Sequence, residues 1–355
     1  MADFPANPDA VTPAWLGEVL GAQVRALSWR PIGTGQVADS VRFAIDYVRD
    51  GAGPASLAAK FGAADPTSRG TAAMFGLYAK EVNFYRQAAP RLEARVPRSH
   101  FAAVSEDGGA CCLIFEDMGP ARQGDQVAGC SAEDARAAIR QAAAIHGPSW
   151  RREELLRADW LAPRAGLADT LIPLYAQAQA VFRDRYAGVL EPELMAVCEG
   201  LAALAPRWFT RESEGLAIVH GDFRLDNMLF DVRGGAEPIA VLDWQTVAAG
   251  NPLTDVGYFL GCGIGDALRR ACEGELLALY RAEMARYGVD FADDVFAQDY
   301  RLGALHGVST AVFSAAFVER TERGDANFLS MARGACALAL AADSLRALAE
   351  EEDAC

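Results

Sequence analysis

The sequence feature that most constrains the fold is a polar loop set between short apolar runs. The loop reads HGDFRLDN at residues 220–227, and apolar runs lie directly before and after it. A packed strand or helix could not bury so many polar side chains without partners, so the runs are predicted strands and the loop connects them. A turn rich in glycine and charge, residues 231–238, then leads to a third apolar run that ends at Asp243.

Three side chains with acceptor oxygens, Asp222, Asn227 and Asp243, are therefore predicted to lie at one edge of a small hairpin. Such a set suits phosphoryl transfer, because a metal ion held by carboxylate and amide oxygens must offset the charge of nucleotide phosphates. A second carboxylate must face the attacking hydroxyl group. The alternative is that Asp222, Asp226 and Asp231 are ordinary turn residues, which is a common use of aspartate.

The sequences HGDFRLDN and VLDW, the latter at residues 241–244, resemble the catalytic region of the aminoglycoside phosphotransferase and choline kinase-like superfamily, closest to its ecdysteroid kinase-like group. The resemblance implies that Asp222 is the catalytic base and that Asn227 and Asp243 bind metal ions. Protein kinases have His-Arg-Asp and Asp-Phe-Gly at the corresponding places, where this chain has His-Gly-Asp and Asp-Trp-Gln. These differences favour a kinase that acts on small molecules.

The first part of the chain predicts a short helix over residues 9–21 and then three strands between residues 24 and 61. Gly33 and Gly35 lie between the first two strands, and Lys60 lies on the third. Two such glycines alone more often mark a hairpin than a phosphate site. Upstream of a strand lysine, however, their freed backbone amides can point at phosphate oxygens.

A helix predicted over residues 71–89 carries Glu81 in the middle of its apolar stripe. An ionised group buried without a partner costs roughly several kcal/mol, so Glu81 requires a counter-ion. Lys60 on the neighbouring strand is the expected partner, and Lys80 or Arg86 is the alternative. By the resemblance, Lys60 binds the α- and β-phosphates and Glu81 orients it.

Two further strands are predicted within residues 101–115, which makes about five strands in all. By the resemblance, Glu116 and Met118 then lie in the hinge whose backbone binds adenine. Residues beyond this point are mostly helical in pattern, so we predict an N-lobe over residues 1–118 and a C-lobe over residues 119–355. The predicted fold class is α+β, a two-lobed protein kinase-like fold with a mostly β N-lobe, one key helix and a larger helical C-lobe.

The C-lobe holds further polar residues of less specific meaning. His146 lies in the last turn of a predicted helix, where stabilising the helix dipole is its favoured role. His220 is expected to brace its loop. Asp255 resembles the acidic residue that accepts backbone hydrogen bonds from the catalytic loop, although a helix N-cap role alone is equally consistent. His100 and His306 receive no role.

Composition limits the classes of partner. The net charge is −15, which disfavours nucleic acid as a partner. The eight cysteines lack CxxC spacing and indicate neither a zinc site nor a disulfide framework. The N-terminus has no signal-like pattern and no run is long enough to cross a bilayer, so a cytoplasmic location is expected.

The predicted function is transfer of the γ-phosphoryl group of ATP, with Mg²⁺, to a hydroxyl of a small molecule. One alternative is a catalytically inactive, nucleotide-binding regulatory protein, although Lys60, Asp222, Asn227 and Asp243 are all present. Another is a protein kinase. The link at residues 244–254 is short and rich in small residues, which offers no ledge for an extended peptide.

Overall fold

The computed structural model describes residues 4–33, 37–162, 166–213, 215–317 and 320–351. The chain divides into two compact units. The first consists of Met1–Arg91, Arg95–Ala121 and Asp231–Val247. The second consists of Leu92–Ala94, Arg122–Phe230 and Ala248–Cys355.

The first unit is built on a five-stranded antiparallel sheet with the order β1-β2-β3-β5-β4. Its strands are β1 (Val24–Pro31), β2 (Ala38–Tyr47), β3 (Ser56–Gly62), β4 (Ser99–Val104) and β5 (Cys111–Glu116). The predicted number of strands is confirmed. Lys60 lies on the central strand, paired with Ser40 on one side and Leu113 on the other.

Helix α1 (Pro13–Leu20) precedes the sheet, and its leucine Leu16 is fully buried. It begins at Thr12, whose hydroxyl oxygen accepts a hydrogen bond from the Trp15 amide at 3.2 Å, and it ends at Gly21. The helix predicted over residues 9–21 is confirmed over Pro13–Leu20, whereas Pro8–Ala10 form a separate 3-10 turn. Its inner face packs on the apolar side chains of β2, β3 and β5.

The helix predicted over residues 71–89 is wrong as a single element. The structure has α2 (Pro66–Phe75), α3 (Leu77–Asn83) and a π-helical turn at Phe84–Ala88. Gly76 separates α2 from α3 with φ +66°, a backbone conformation that side chains other than glycine rarely adopt. Glu81 therefore lies on a short helix that begins immediately after a sharp turn.

The second unit is mostly helical. Its helices are α4 (Ala132–Ser149), α5 (Glu153–Leu156), α6 (Leu167–Tyr186), α7 (Pro192–Ala203), α8 (Ala205–Thr210), α10 (Leu253–Tyr258), α11 (Asp266–Ala285), α12 (Asp293–Phe317), α13 (Glu322–Ala341) and α14 (Ser344–Glu350). A short turn, α9 (Val232–Gly235), belongs to the first unit. The apolar faces of α6, α7, α12 and α13 share one core.

The C-terminal helical segment of the second unit is also divided into two elements. Helix α13 ends at Ala341, and α14 begins at Ser344 after Asp343, which has φ +53°. Within the described residues no single helix meets the length and hydropathy needed to span a bilayer, whereas α13 and α14 taken together do, bent by 62°.

Short strands hold the polar loop at residues 220–227 in the second unit. These strands are β6 (Arg122–Gln123), β7 (Ala217–Val219), β8 (Met228–Asp231) and β10 (Ala248–Gly250). The remaining short strand, β9 (Glu237–Val241), belongs to the first unit. Strand β7 pairs with β10 and enters the loop, and β8 pairs with β6 as it leaves. The predicted arrangement of a polar loop between two short strands is confirmed.

Helices α10 and α12 approach each other so closely that their backbones are in contact. A Cβ atom added at Gly257 of α10 would lie 2.6 Å from the carbonyl carbon of Gly303 of α12. A methyl group added at Gly303 would overlap the carbonyl oxygen of Leu253. Only glycine at both positions permits this crossing.

Candidate active site

Lys60 lies between two carboxylates in the first unit. Its Nζ atom is 2.6 Å from Glu81 Oε2 and 2.8 Å from Asp243 Oδ1. The contact with Glu81 is a close charge pair rather than a well-aligned hydrogen bond, because no donor among the described residues is correctly directed at Oε2. The predicted pairing of Lys60 with Glu81 is confirmed.

The two carboxylates differ in their environment. The Glu81 side chain is 2% exposed, whereas that of Asp243 is 33% exposed. Burial alone would lower the pKa of Lys60, but the charges of Asp243 and Glu81 raise it above its ordinary value, so the amine is held as a cation. Burial raises the pKa of Glu81, an effect that the nearby Lys60 only partly offsets.

The positions of Glu81 and Asp243 are linked by aromatic packing. Trp244, which follows Asp243, stacks on Phe84 with ring centroids 3.7 Å apart and planes 7° from parallel, and both rings are fully buried. Asp243 itself has φ +63°, a left-handed conformation that aspartate tolerates better than most residues. Asp243 lies two residues beyond the end of β9, and residues held in such conformations cluster at functional sites.

Gly33 and Gly35 were predicted to cradle phosphate. Gly33 follows β1 with φ +74° and lines a cavity of about 680 Å³ on the first unit, which Lys60, Glu81 and Asp243 do not line. Gly35 lies outside the described residues. Just beyond, the Tyr78 hydroxyl donates to the Val37 carbonyl at 2.6 Å, which joins the start of β2 to α3.

The two predicted hinge residues have contacts that the sequence did not indicate. Glu116 accepts hydrogen bonds from Arg95 Nη1 at 2.6 Å and from the Arg98 amide at 2.7 Å, and it is also paired with Arg233. These charges hold the pKa of Glu116 below its usual range, although burial opposes them. Met118 is buried, and its carbonyl accepts from the Arg233 amide at 3.2 Å. A role of these backbones in binding adenine remains a prediction.

In the second unit, both oxygens of Asp222 accept hydrogen bonds. The Tyr258 hydroxyl donates to Oδ1 at 2.7 Å, and the Asn227 amide nitrogen donates to Oδ2 at 2.8 Å. Arg224 Nε lies 3.0 Å from Oδ1 and 3.1 Å from Oδ2. Burial would raise the pKa of Asp222, but Arg224 and these donors hold it below its usual range, so the carboxylate is ionised at neutral pH.

Asp255 braces the loop that carries Asp222. It is fully buried, and it accepts hydrogen bonds from the amides of His220 at 2.6 Å and Gly221 at 2.9 Å. The prediction that Asp255 accepts backbone hydrogen bonds from this loop is confirmed. His220 is also buried, and its Nδ1 atom accepts from the Asp222 amide at 3.2 Å, in agreement with the bracing role expected for it.

His146, expected only to stabilise its helix end, is part of the same network. It is fully buried, with Nε2 3.1 Å from Asp255 Oδ2 and Nδ1 2.9 Å from the Tyr280 hydroxyl. Because a carboxylate can only accept, Nε2 carries the proton, and Nδ1 of a neutral ring then accepts from Tyr280.

Sequence reasoning gave no role to two residues that contact this loop. His306 on α12 has its Nε2 atom 2.8 Å from the Gly221 carbonyl oxygen, and Tyr258 on α10 binds Asp222. One signal could have indicated Tyr258. It follows Asp255 by three residues on a helix, and residues three apart share a face. Nothing in the sequence connects His306 with a loop 85 residues away.

The two predicted metal ligands offer oxygen atoms suited to Mg²⁺. The Asn227 amide nitrogen donates to the Asp222 backbone carbonyl at 2.9 Å as well as to its carboxylate, so its amide oxygen is the atom left to bind a cation. Asp243 Oδ2 has only a long contact, 3.5 Å from Gln245 Nε2, among the described residues. Carboxylate and amide oxygens are ligands that Mg²⁺ prefers, so these donors fit the ion.

The described part of the chain contains no denser metal site. No group of three or more His, Cys, Asp or Glu side chains in it is arranged to hold a metal. Mg²⁺ commonly takes one or two protein ligands and completes its shell with water and phosphate oxygens.

Solved structures of similar architecture carry the names of small-molecule kinases. A Ralstonia eutropha protein provisionally assigned as an aminoglycoside phosphotransferase aligns with a TM-score of 0.57 at 16% identity, over 93% of this chain and 97% of the other. The microcompartment-associated aminopropanol kinase aligns with a TM-score of 0.52 at 16% identity, over 90% and 94% of the two chains. Aminoglycoside 2'-phosphotransferase-IIIa, solved with GDP, aligns with a TM-score of 0.51 at 15% identity, over 87% and 92%. The predicted α+β, protein kinase-like fold is confirmed.

Curated relatives match shorter segments of the chain. Acyl-CoA dehydrogenase family member 10 of Mus musculus is 54% identical over 41 residues, which are 12% of this chain and 4% of the relative. Acyl-CoA dehydrogenase family member 11 of Gallus gallus is 32% identical over 87 residues, which are 24% of this chain and 11% of the relative. The matches to these two relatives thus span no more than 11% of their lengths.

The family model gives the most extensive sequence match. The model described as the ecdysteroid kinase-like family matches residues 39–289. That range covers most of the chain and contains Lys60, Glu81, Asp222, Asn227 and Asp243. The resemblance read from HGDFRLDN and VLDW is confirmed, and the chain belongs to the ecdysteroid kinase-like family.

Proposed function

We propose that this chain is an ATP- and Mg²⁺-dependent kinase that transfers the γ-phosphoryl group to a hydroxyl of a small molecule. The observation that carries the proposal is the position of Lys60, whose amine is within 2.8 Å of two carboxylates of different exposure. A cation with one buried and one partly exposed counter-ion is suited to an exchange of partners. The buried partner can stay while the partly exposed one is replaced by a phosphate.

In this proposal Glu81 is the permanent counter-ion of Lys60. It is 2% exposed on a helix fixed by the stacked rings of Phe84 and Trp244. When ATP binds, Lys60 keeps Glu81 and contacts the α- and β-phosphates in place of Asp243. Asp243 is thereby released to bind a metal ion.

Asn227 and Asp243 are the proposed metal ligands. Magnesium, when bound, neutralises charge on the nucleotide phosphates and fixes their orientation. The amide oxygen of Asn227 and the partly exposed carboxylate of Asp243 supply hard oxygen donors of the type that this ion selects. The other ligands are expected to be phosphate oxygens and water.

Asp222 is the proposed base. The acceptor hydroxyl donates a hydrogen bond to its carboxylate, which orients an oxygen lone pair toward the γ-phosphorus. As the new O–P bond forms and the bond to the β-phosphate oxygen breaks, the hydroxyl proton passes to Asp222, and ADP leaves. Arg224, with Nε 3.0 Å from Asp222, places a second cation where the transferred group gains charge.

The names of the aligned structures suggest where a search for the acceptor should begin. Aminopropanol and aminoglycosides are both amino alcohols. A net charge of −15 is compatible with a cationic acceptor, although a charge summed over a whole surface says little about one site. The first library is therefore of amines that carry hydroxyl groups, followed by neutral alcohols and sugars.

The test is ADP production from Mg·ATP, measured with this library and, in parallel, with a degenerate peptide library and labelled ATP. We expect a small hydroxyl compound to be labelled by the wild type and not by Asp222→Ala. Asp293→Ala, at a side chain that is 88% exposed, is the matched control and should retain activity. Label on peptides alone would support a protein kinase instead. Nucleotide binding without turnover of any acceptor would support a regulatory protein.

A further inference from the structure

Tyr258 and His306 form a support behind the carboxylate of Asp222. The Tyr258 hydroxyl donates to Asp222 Oδ1 at 2.7 Å. The Tyr258 ring is fully buried and meets the His306 ring edge to face, with centroids 5.3 Å apart and planes at 86°. His306 Nε2 lies 2.8 Å from the Gly221 carbonyl oxygen.

We infer that Tyr258, supported by His306, is a positioning residue that fixes the orientation of the Asp222 carboxylate for phosphoryl transfer. The inference rests on the proposed function of Asp222 as the base. It assigns to Tyr258 no proton transfer and no contact with the nucleotide.

The carboxylate requires such a constraint because its last torsion is soft. Rotation about an sp³–sp² bond such as Cβ–Cγ of aspartate has broad energy wells, so one hydrogen bond leaves a range of orientations. Asn227 holds Oδ2 at 2.8 Å, and Tyr258 holds Oδ1 at 2.7 Å. With a separate donor on each oxygen, the plane of the carboxylate is determined.

Arg224 is less suited to this task than Tyr258. Its Nε atom is nearly equidistant from the two oxygens of Asp222, and its Nη1 atom also contacts Asp226 at 3.3 Å. Its side chain is 21% exposed, and a long, flexible cation beside the transferred group is free to follow the phosphate. Tyr258 has only two side-chain torsions and no exposure, so its hydroxyl stays in place.

The backbone beside Tyr258 is equally fixed. Gly257 precedes it and contacts the backbone of α12 at Gly303 without room for a side chain. His306 lies one turn further along α12 and donates to Gly221, because a carbonyl oxygen can only accept. The Gly221 amide in turn donates to Asp255 at 2.9 Å. The residue before Asp222 is thus held through both its amide and its carbonyl.

The protonation state of the Tyr258 hydroxyl agrees with this positioning role. Burial, together with the adjacent charge of Asp222, raises the pKa of Tyr258 well above its ordinary value. The phenol is therefore protonated, and a hydrogen-bond donor, at neutral pH.

The test compares Tyr258→Phe with Tyr186→Phe. Tyr186 is a matched control, because it is 2% exposed and its hydroxyl also donates to an aspartate, Asp325, at 2.6 Å. ADP release is measured at saturating Mg·ATP with the acceptor identified by the screen and with water as the acceptor. We expect Tyr258→Phe to lower kcat by about 10- to 100-fold with the KM for ATP within about threefold of wild type, and the control to do neither.

His306 supplies a second pair of variants. His306→Ala removes the donor to Gly221, whereas His306→Gln can present an N–H group to the same carbonyl. We expect a lower kcat for His306→Ala and a partial recovery for His306→Gln. If Tyr258→Phe fails to fold, as judged by circular dichroism, this pair decides the inference: recovery supports it, and equal activity of both variants with wild type overturns it.

The outcomes separate the inference from the proposed function. If the wild type and Tyr258→Phe share the same kcat while Asp222→Ala is inactive, the positioning role is wrong and the kinase proposal stands. If the wild type releases no more ADP than Asp222→Ala with any acceptor, the proposed function fails, and the inference fails with it. A rise in the KM for ATP with unchanged kcat would also overturn the positioning role.

Discussion

Replacing Asp255 with asparagine tests how the 220–227 loop is held. The carboxylate is fully buried and accepts three hydrogen bonds, from the amides of His220 and Gly221 and from His146 Nε2. Oδ2 accepts two of these and Oδ1 accepts the third. An asparagine can place its oxygen at the Oδ2 position and keep two bonds. Its NH₂ group then faces the Gly221 amide, donor against donor.

The expected loss of stability in Asp255→Asn follows from this loss of one acceptor. The loss of one hydrogen bond to a charged group costs about 1.5–3 kcal/mol, and a buried amide left without an acceptor costs about 1–3 kcal/mol. We therefore expect Asp255→Asn to lower the free energy of unfolding by about 2.5–6 kcal/mol at pH 7, the sum of these two costs.

The stability difference between Asp255→Asn and the wild type should decrease as the pH falls. Burial alone would raise the pKa of Asp255, but the hydrogen bonds from His146 and from the His220 amide hold it below its usual range. The unfolded chain titrates near about pH 3.9. The stability that the carboxylate contributes is thus fully present above about pH 4 and is lost as the pH falls through the lower, folded pKa. The difference between variant and wild type should therefore narrow in strong acid.

Urea unfolding followed by circular dichroism, at pH 7 and again in acid, measures both effects. Glu275→Gln is the control, because Glu275 is 55% exposed in a surface pair with Arg136 and its loss should change little. A loss of less than about 1 kcal/mol for Asp255→Asn at pH 7 would refute the reasoning, since a net hydrogen bond alone is worth that much. If the difference in free energy of unfolding between the wild type and Asp255→Asn grew in acid, the predicted direction of the pH dependence would be wrong.

Four further outcomes are expected. Asp222→Ala should lower kcat by about 10²- to 10⁴-fold and leave the KM for ATP near wild type, as measured by steady-state kinetics. Lys60→Ala should weaken both nucleotide binding and turnover, as measured by calorimetry and kinetics. A chelator should weaken ATP binding by about tenfold or more in calorimetry, and unchanged affinity would contradict the proposed metal ligands. Gly124→Ala should lower the free energy of unfolding by about 1–3 kcal/mol, because the methyl group would overlap the Leu225 carbonyl oxygen, whereas Gly70→Ala meets open space and should not destabilise.

Sequence reasoning succeeded where one physical rule left few partners for a residue. Glu81 lay in an apolar stripe and needed a cation, and Lys60 on the central strand of the same unit provides it at 2.6 Å. The strand that carries Lys60, predicted to end at residue 61, ends at Gly62 in the structure. The agreement is close because strand patterns are a local signal in the sequence. The loop carrying Asp222 was found because it interrupted two apolar runs.

Sequence reasoning failed where a contact joins residues that are far apart in the sequence, and where a backbone turn leaves the apolar spacing unchanged. The apolar spacing on both sides of Gly76 kept one phase, so the spacing predicted one helix where the backbone turns. Asp243 adopts φ +63°, which no side-chain pattern indicates. The contacts of His306 and Arg233 join residues 85 and 117 positions apart, and only the tertiary fold brings them together.

The glycine crossing of α10 and α12 has a consequence for how sequences of this type can change. Gly257 and Gly303 leave no space for a methyl group, so neither position can accept a small step such as glycine to alanine. Tyr258 and His306 lie beside this crossing on different helices, so a shift of either helix would change the contact between the two rings. The glycines therefore keep the register of the two helices. In a library that randomises α10 and α12, we expect these two positions to return glycine far more often than their neighbours.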